Sequence, residues 1–128
     1  MGNGTSIGRV RGLGSAKGGV HHWLLQRFTA IGNLLTLLFL VVSLVLLPDL
    51  SYNTVAGWIS RPVPAVLIAL LVVTTFWHAR LGLQVLVEDY VHDHANKFAC
   101  IAALNLAAFA GAAFGVLCVI RLALGAHA

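Results

Sequence analysis

Charge is what this chain has least of. Only 9% of its 128 residues are charged, whereas a soluble domain carries about a quarter. Hydrophobic residues make up 59%, and the mean hydropathy is +0.92. This balance excludes an ordinary soluble globular domain and indicates an integral membrane protein. There are only two cysteines, Cys100 and Cys118, both in the third apolar segment. Along a helix they lie about 27 Å apart, too far for a disulfide, and no CxxC is present. They read as buried small apolar residues. No phosphate loop, nucleophile triad or zinc motif occurs. The chain therefore cannot oxidise a soluble substrate without a cofactor-bearing partner. The net charge of +4 is not a nucleic-acid signal. Four of the eight basic residues (Arg9, Arg11, Lys17, Arg27) precede the first apolar segment, where they act as a topology signal.

Three apolar segments remain, and they predict an all-α fold of three transmembrane helices forming part of a larger helical bundle. Residues 1–24 read as a polar N-terminal tail, and 25–128 as the membrane anchor. The first run, Phe28–Leu47, has no charge and is long enough to cross the hydrocarbon core. It is too long for a signal-peptide core. Pro48 and Asp49 end it, and 49–61 reads as a loop with Tyr52 and Trp58 at the interface. Pro62 and Pro64 suit the first turn of a second helix, over about 63–87. A polar connection over 88–97 leads to the third helix, about 98–121, which Arg121 terminates. That helix carries Ala103, Ala107, Gly111 and Gly115 on one face, spacing that lets another helix approach closely. The basic tail places the N-terminus in the cytoplasm, or in the matrix of a mitochondrion. The 88–97 connection then lies on that same side. Near the N-terminus, matches to a myristoylation signal at Gly2 and a glycosylation sequon at Asn3 read as accidental.

One segment combines a membrane-length apolar run with ionisable groups: Phe76–His92, FWHARLGLQVLVEDYVH. His78 lies roughly 15 Å inside the second helix. Ionisable groups at that depth usually mark a cofactor, substrate or proton path. A neutral imidazole there is a good axial ligand for haem iron; the competing reading is a histidine hydrogen-bonded to a neighbouring helix. Asp89 follows eleven residues later, three helical turns on, and so falls on nearly the same face. Tyr90 adds a phenolic donor able to bond a quinone carbonyl, while Glu88, Asp89 and Tyr90 together could equally form an interfacial helix end. Arg80 points elsewhere on the helix, toward a propionate or a partner carboxylate, or snorkelling to the surface. His21, His22 and Arg27 stand at the start of helix one, as propionate or partner contacts or as interfacial anchors beside Trp23.

Two blocks carry a family resemblance: GGVHHWLLQRFTAI (18–31) and HARLGLQVLVEDYVH (78–92), the second in an H-x-R-x-G-x-Q-x-x-x-x-D-Y pattern. The chain resembles the hydrophobic membrane-anchor subunits of succinate dehydrogenase, the SdhD type of respiratory Complex II. The resemblance implies that His78 is one axial ligand of haem b, with the second histidine on a companion cytochrome b anchor subunit. It implies that Tyr90 hydrogen-bonds ubiquinone, with Asp89 beside a partner arginine at the same site, and that His21, less surely His22, and Arg27 lie near the propionates and quinone. It also implies a flavoprotein subunit oxidising succinate and an iron–sulfur subunit passing electrons to quinone. The wording of the second block favours a bacterial inner membrane over a mitochondrial one. Alternatives stay open: a fumarate reductase anchor, a haem-bearing subunit of another dehydrogenase, or a haem-free structural subunit.

Overall fold

The structure, a computed structural model, describes residues 19–125. Arg9, Arg11, Lys17 and the two N-terminal motif matches lie outside them. Four helices follow in order: α1 Gly19–Leu46, α2 Tyr52–Ile59, α3 Pro62–Tyr90 and α4 His94–Ala123. The three long ones are each apolar and long enough to cross a membrane.

The long helices overrun the apolar runs at most of their ends. The residues expected as the end of a polar tail, 19–24, are already helical in α1. The polar connection expected over 88–97 contracts to Val91–Asp93. The physical reason is length. A helix of 28 to 30 residues is about 42–45 Å long at 1.5 Å per residue. That matches a bilayer with its headgroup layers, whereas the apolar run matches only the hydrocarbon core. Helical hydrogen bonding continues through the headgroup zone although apolarity stops.

Local chemistry sets the ends. Arg61 caps α3 in an extended conformation, and prolines occupy its first turn, where no intrahelical N–H is required. Asp93 caps α4: its carboxylate accepts the Asn96 N–H at 2.9 Å, satisfying one of the orphan donors of the first turn. Gly125, at φ +70°, closes α4 in the left-handed conformation that glycine adopts freely. The expected 49–61 loop contains α2 instead. Asp49 accepts the Ser51 N–H at 2.8 Å, and hydrogen bonds from Ser51 and Thr54 hold its carboxyl below the usual carboxylate range. Trp58 is buried and stacks on Phe39 of α1 at 6.1 Å. That contact holds a short helix which local propensity alone would not sustain.

α3 is the middle helix, packed against both α1 and α4, while the backbones of α1 and α4 do not approach each other. Both interfaces are antiparallel. Against α1, Thr29 meets His78 and Asn33 meets Thr75, one number rising as the other falls. Against α4, Arg80 meets Asn105, Phe76 meets Gly111 and Val72 meets Gly115.

The two interfaces differ in chemistry. The α1–α3 seam is polar. Thr75 donates to Asn33 Oδ1 at 3.4 Å, and Thr74 packs against Gly32. Thr36 and Thr74 return their hydroxyl protons to their own helices, at Gly32 O (2.7 Å) and Leu70 O (2.8 Å). The α3–α4 seam is close-packed: a Cβ on Gly115 would meet Val72 Cγ1 at 2.6 Å. Gly111 and Gly115 thus occupy the expected small-residue face, and α3 is what they receive. Cys118 is half-buried, but Cys100 is exposed on this chain, against the expectation of a buried pair. Among the described residues only Trp58, Leu81 and Val119 are buried large apolar side chains. The helices are apolar all round, so most of that surface is left for lipid or other subunits.

Candidate functional site

His78 is half-buried, on the α3 face turned to α1. It lies twelve residues before Tyr90, the last residue of α3, which is about 18 Å of helix. Its Nδ1 is 3.1 Å from Thr29 Oγ1. The ring is therefore tied to the neighbouring span at mid-membrane depth, where no water is at hand to hold it.

Thr29 was not among the residues the sequence singled out. A signal for it did exist: Thr29, Asn33 and Thr36 recur at spacings of four and three within an otherwise apolar run, which places them on one face. That face meets Thr75 and His78.

Arg80 stands two residues after His78, roughly 200° around the helix, and so faces α4. Its Nε donates to Asn105 Oδ1, and its guanidinium lies over the Trp77 ring at 5.4 Å. Trp77 in turn meets Phe109 edge-on at 5.9 Å. Within the chain the cation finds a neutral amide and an aromatic face, both favourable for a charge held away from water. It borders an apolar cleft of about 490 Å³ between α3 and α4, lined by Trp77, Ala108, Phe109 and Ala112 among others.

The antiparallel register puts His21, His22 and Arg27 of α1 at the same end of the bundle as Glu88, Asp89 and Tyr90. His21 is exposed and His22 half-buried. The Arg27 guanidinium lies 5.4 Å over the Trp23 ring, one turn back on its own helix.

The acidic cluster divides in function. Glu88 is used internally: its carboxylate accepts from Gln84 Nε2 at 2.8 Å, and its carbonyl accepts from Lys97 Nζ at 3.0 Å. That last bond ties the end of α3 to the start of α4. His92 Nδ1 lies 3.1 Å from the Tyr90 carbonyl oxygen. The side chains of Asp89 and Tyr90 make no hydrogen bond among the described residues, and Tyr90 is 78% exposed. A carboxylate and a phenol on consecutive, exposed residues of the last turn of α3 are thus presented outward from a backbone pinned by its neighbours. Such a pair can offer an O–H to a carbonyl oxygen and a proton-accepting carboxylate next to it.

Among the described residues no three His, Cys, Asp or Glu side chains gather as a metal cluster. Among the described residues His78 is the one histidine well inside a span, its Nδ1 engaged, whereas His21, His22 and His94 stand in the first turns of α1 and α4. This arrangement fits one axial ligand of a haem shared with another subunit.

The family model for the succinate dehydrogenase/fumarate reductase transmembrane subunit matches residues 1–114. The chain is 35% identical to the succinate dehydrogenase hydrophobic membrane anchor subunit of Rickettsia bellii, covering 80% of this chain and 82% of that one. It is 34% identical to that of Rickettsia conorii, with the same coverage. With that of Paracoccus denitrificans it shares 32% identity over 91% of this chain and 90% of the other. No solved structure matches it significantly. The chain belongs to the succinate dehydrogenase/fumarate reductase transmembrane subunit family, as a hydrophobic membrane anchor subunit.

Proposed function

We propose that this chain anchors a succinate:quinone oxidoreductase in a bacterial inner membrane, supplies one axial ligand to haem b and forms part of the ubiquinone site. The observation that carries the reading is His78, a half-buried imidazole in a membrane-crossing helix, steadied through Nδ1 by Thr29. His78 would hold that haem together with a histidine of a companion cytochrome b anchor subunit. An iron–sulfur subunit and a flavoprotein subunit complete the complex on the side of the N-terminus. Haem b, when bound, supplies a one-electron store shielded from water.

Each residue then has a task. His78 holds the haem iron. Tyr90, exposed at the end of α3, donates its hydroxyl hydrogen to a quinone carbonyl. Asp89 orients a cationic partner beside it and relays protons from the adjacent aqueous phase, since full quinone reduction takes up two. His21 and Arg27, at the same end, neutralise propionates or border the quinone entrance. Arg80, held by Asn105 and Trp77, is available to an anionic group only from the α4 side of α3.

The test is a dithionite-reduced minus oxidised visible spectrum of the complex purified through a tag on this chain, wild type beside His78→Ala. A b-type signal in the wild type that is lost or shifted in the variant is the expected result. An unaltered signal in the variant would remove His78 from the iron.

A further inference from the structure

We propose that Thr29 is the positioning residue for His78: it fixes the imidazole as the Nδ1–H tautomer, leaves Nε2 as the metal-binding nitrogen and tunes the donor strength of the ring. The inference rests on the ligation reading above.

It follows from counting hydrogens. Thr29 Oγ1 lies 2.8 Å from Leu25 O, 3.1 Å from Gln26 O and 3.1 Å from His78 Nδ1. The hydroxyl has one hydrogen and two lone pairs. The two carbonyls can only accept. If the hydroxyl hydrogen goes to Leu25 O, the shortest of the three contacts, Oγ1 is free to accept from Nδ1–H. Both polar hydrogens are then bonded at once. In the reverse arrangement the hydroxyl donates to Nδ1 and the ring hydrogen moves to Nε2, which has no hydrogen-bond partner among the described residues. That arrangement makes one bond and strands one donor. In a membrane interior no water makes up the loss, and an unsatisfied donor costs about 1–3 kcal/mol. The first arrangement therefore prevails.

Its consequence is chemical. A metal ion takes a nitrogen lone pair, so only Nε2 can ligate. Hydrogen bonding at Nδ1–H fixes ring orientation and raises ligand basicity. A more basic imidazole favours the ferric over the ferrous ion and so holds the midpoint potential down. The control comes from α1, a different span from the one that carries the ligand.

The experiment compares Thr29→Val, Thr29→Ala and Thr29→Ser in the whole complex. It measures the haem midpoint potential by redox titration and the low-spin ferric signal by electron paramagnetic resonance, with His78→Ala alongside. Val and Ala, which lack the acceptor, raise the potential, change the g-value spread and weaken haem retention, about 10- to 100-fold as for other supporting partners of metal ligands. Ser, which keeps the hydroxyl, restores wild-type values. Wild-type potential and g-values in whichever of Thr29→Val and Thr29→Ala assembles, while His78→Ala abolishes the signal, overturn the role of Thr29 and leave the ligation standing. A signal insensitive to His78→Ala overturns both.

Discussion

Tyr90 and His78 sit on the same helix in opposite situations. Tyr90 is 78% exposed with its hydroxyl unengaged among the described residues; His78 is half-buried and bonded. A group that meets a diffusing substrate must be open, and a group that holds a resident cofactor must be steady. This contrast predicts separable phenotypes. Tyr90→Phe removes one neutral hydrogen bond, worth about 1 kcal/mol or fivefold. Quinone reductase activity should fall by about that factor, while succinate oxidation with an artificial acceptor stays at wild-type level. Equal quinone kinetics in both proteins would take Tyr90 out of the site. At this scale the sequence was informative about chemistry and silent about partners. His78, Asp89 and Tyr90 stand out because polar groups are rare in apolar surroundings. Thr29 gains meaning only once the register of α1 on α3 is known, and Asn105 likewise shows its role only against Arg80.

At the scale of elements, the two faces of α3 are built on different principles. Toward α1 the seam is held by hydroxyl, amide and imidazole groups; toward α4 it is held by close approach at Gly111 and Gly115, with the Arg80–Asn105 hydrogen bond and the Trp77–Phe109 edge contact beside it. In lipid the hydrophobic effect gives helices no reason to associate, so close packing and hydrogen bonds must do so. Gly115→Ala places a methyl against Val72 Cγ1, at 2.6 Å in the present geometry. Val72 is β-branched and stiff at χ1, so the helices must part instead. Overpacking of this kind costs about 1–3 kcal/mol. The detergent-solubilised complex should lose this chain at a lower temperature, as followed by the thermal midpoint of subunit release. An unchanged midpoint would mean that α4 is held mainly by other contacts. The three spans were legible because apolar runs record the hydrocarbon core. Their ends were not, because the backbone stays helical where side chains turn polar. α2 was missed for a different reason: YNTVAGWI sets Tyr52, Val55, Ala56 and Ile59 at helical spacing, but eight residues are too few for local propensity to hold, and its order comes from Trp58 reaching Phe39.

As a whole molecule, the chain turns one pole toward Asp49 and α2 and the other toward Glu88–Asp93 and the start of α1. On the orientation proposed above, which the Lys and Arg bias of the N-terminal segment supports, the second pole faces the cytoplasm. With Cys100 and Cys118 replaced by serine, a cysteine introduced at the exposed Asn53 should react with a membrane-impermeant maleimide added outside spheroplasts. One at the exposed His92 should react only after permeabilisation. The reverse pattern would invert the orientation and move the Glu88–Asp93 pole to the opposite face.

The middle position of α3 also bears on how the chain is made. α1 enters the membrane first and meets neither of the other two spans until α3 follows it. A nascent chain released only as far as Val91 already holds every residue of the α1 seam, so the Thr29–His78 pair can form during synthesis. Arg80 must wait: until α4 is threaded, its guanidinium has Trp77 but not Asn105. The last span to be inserted is thus the one that shelters a charge, while the half that carries the Thr29–His78 pair is ready before the chain is complete.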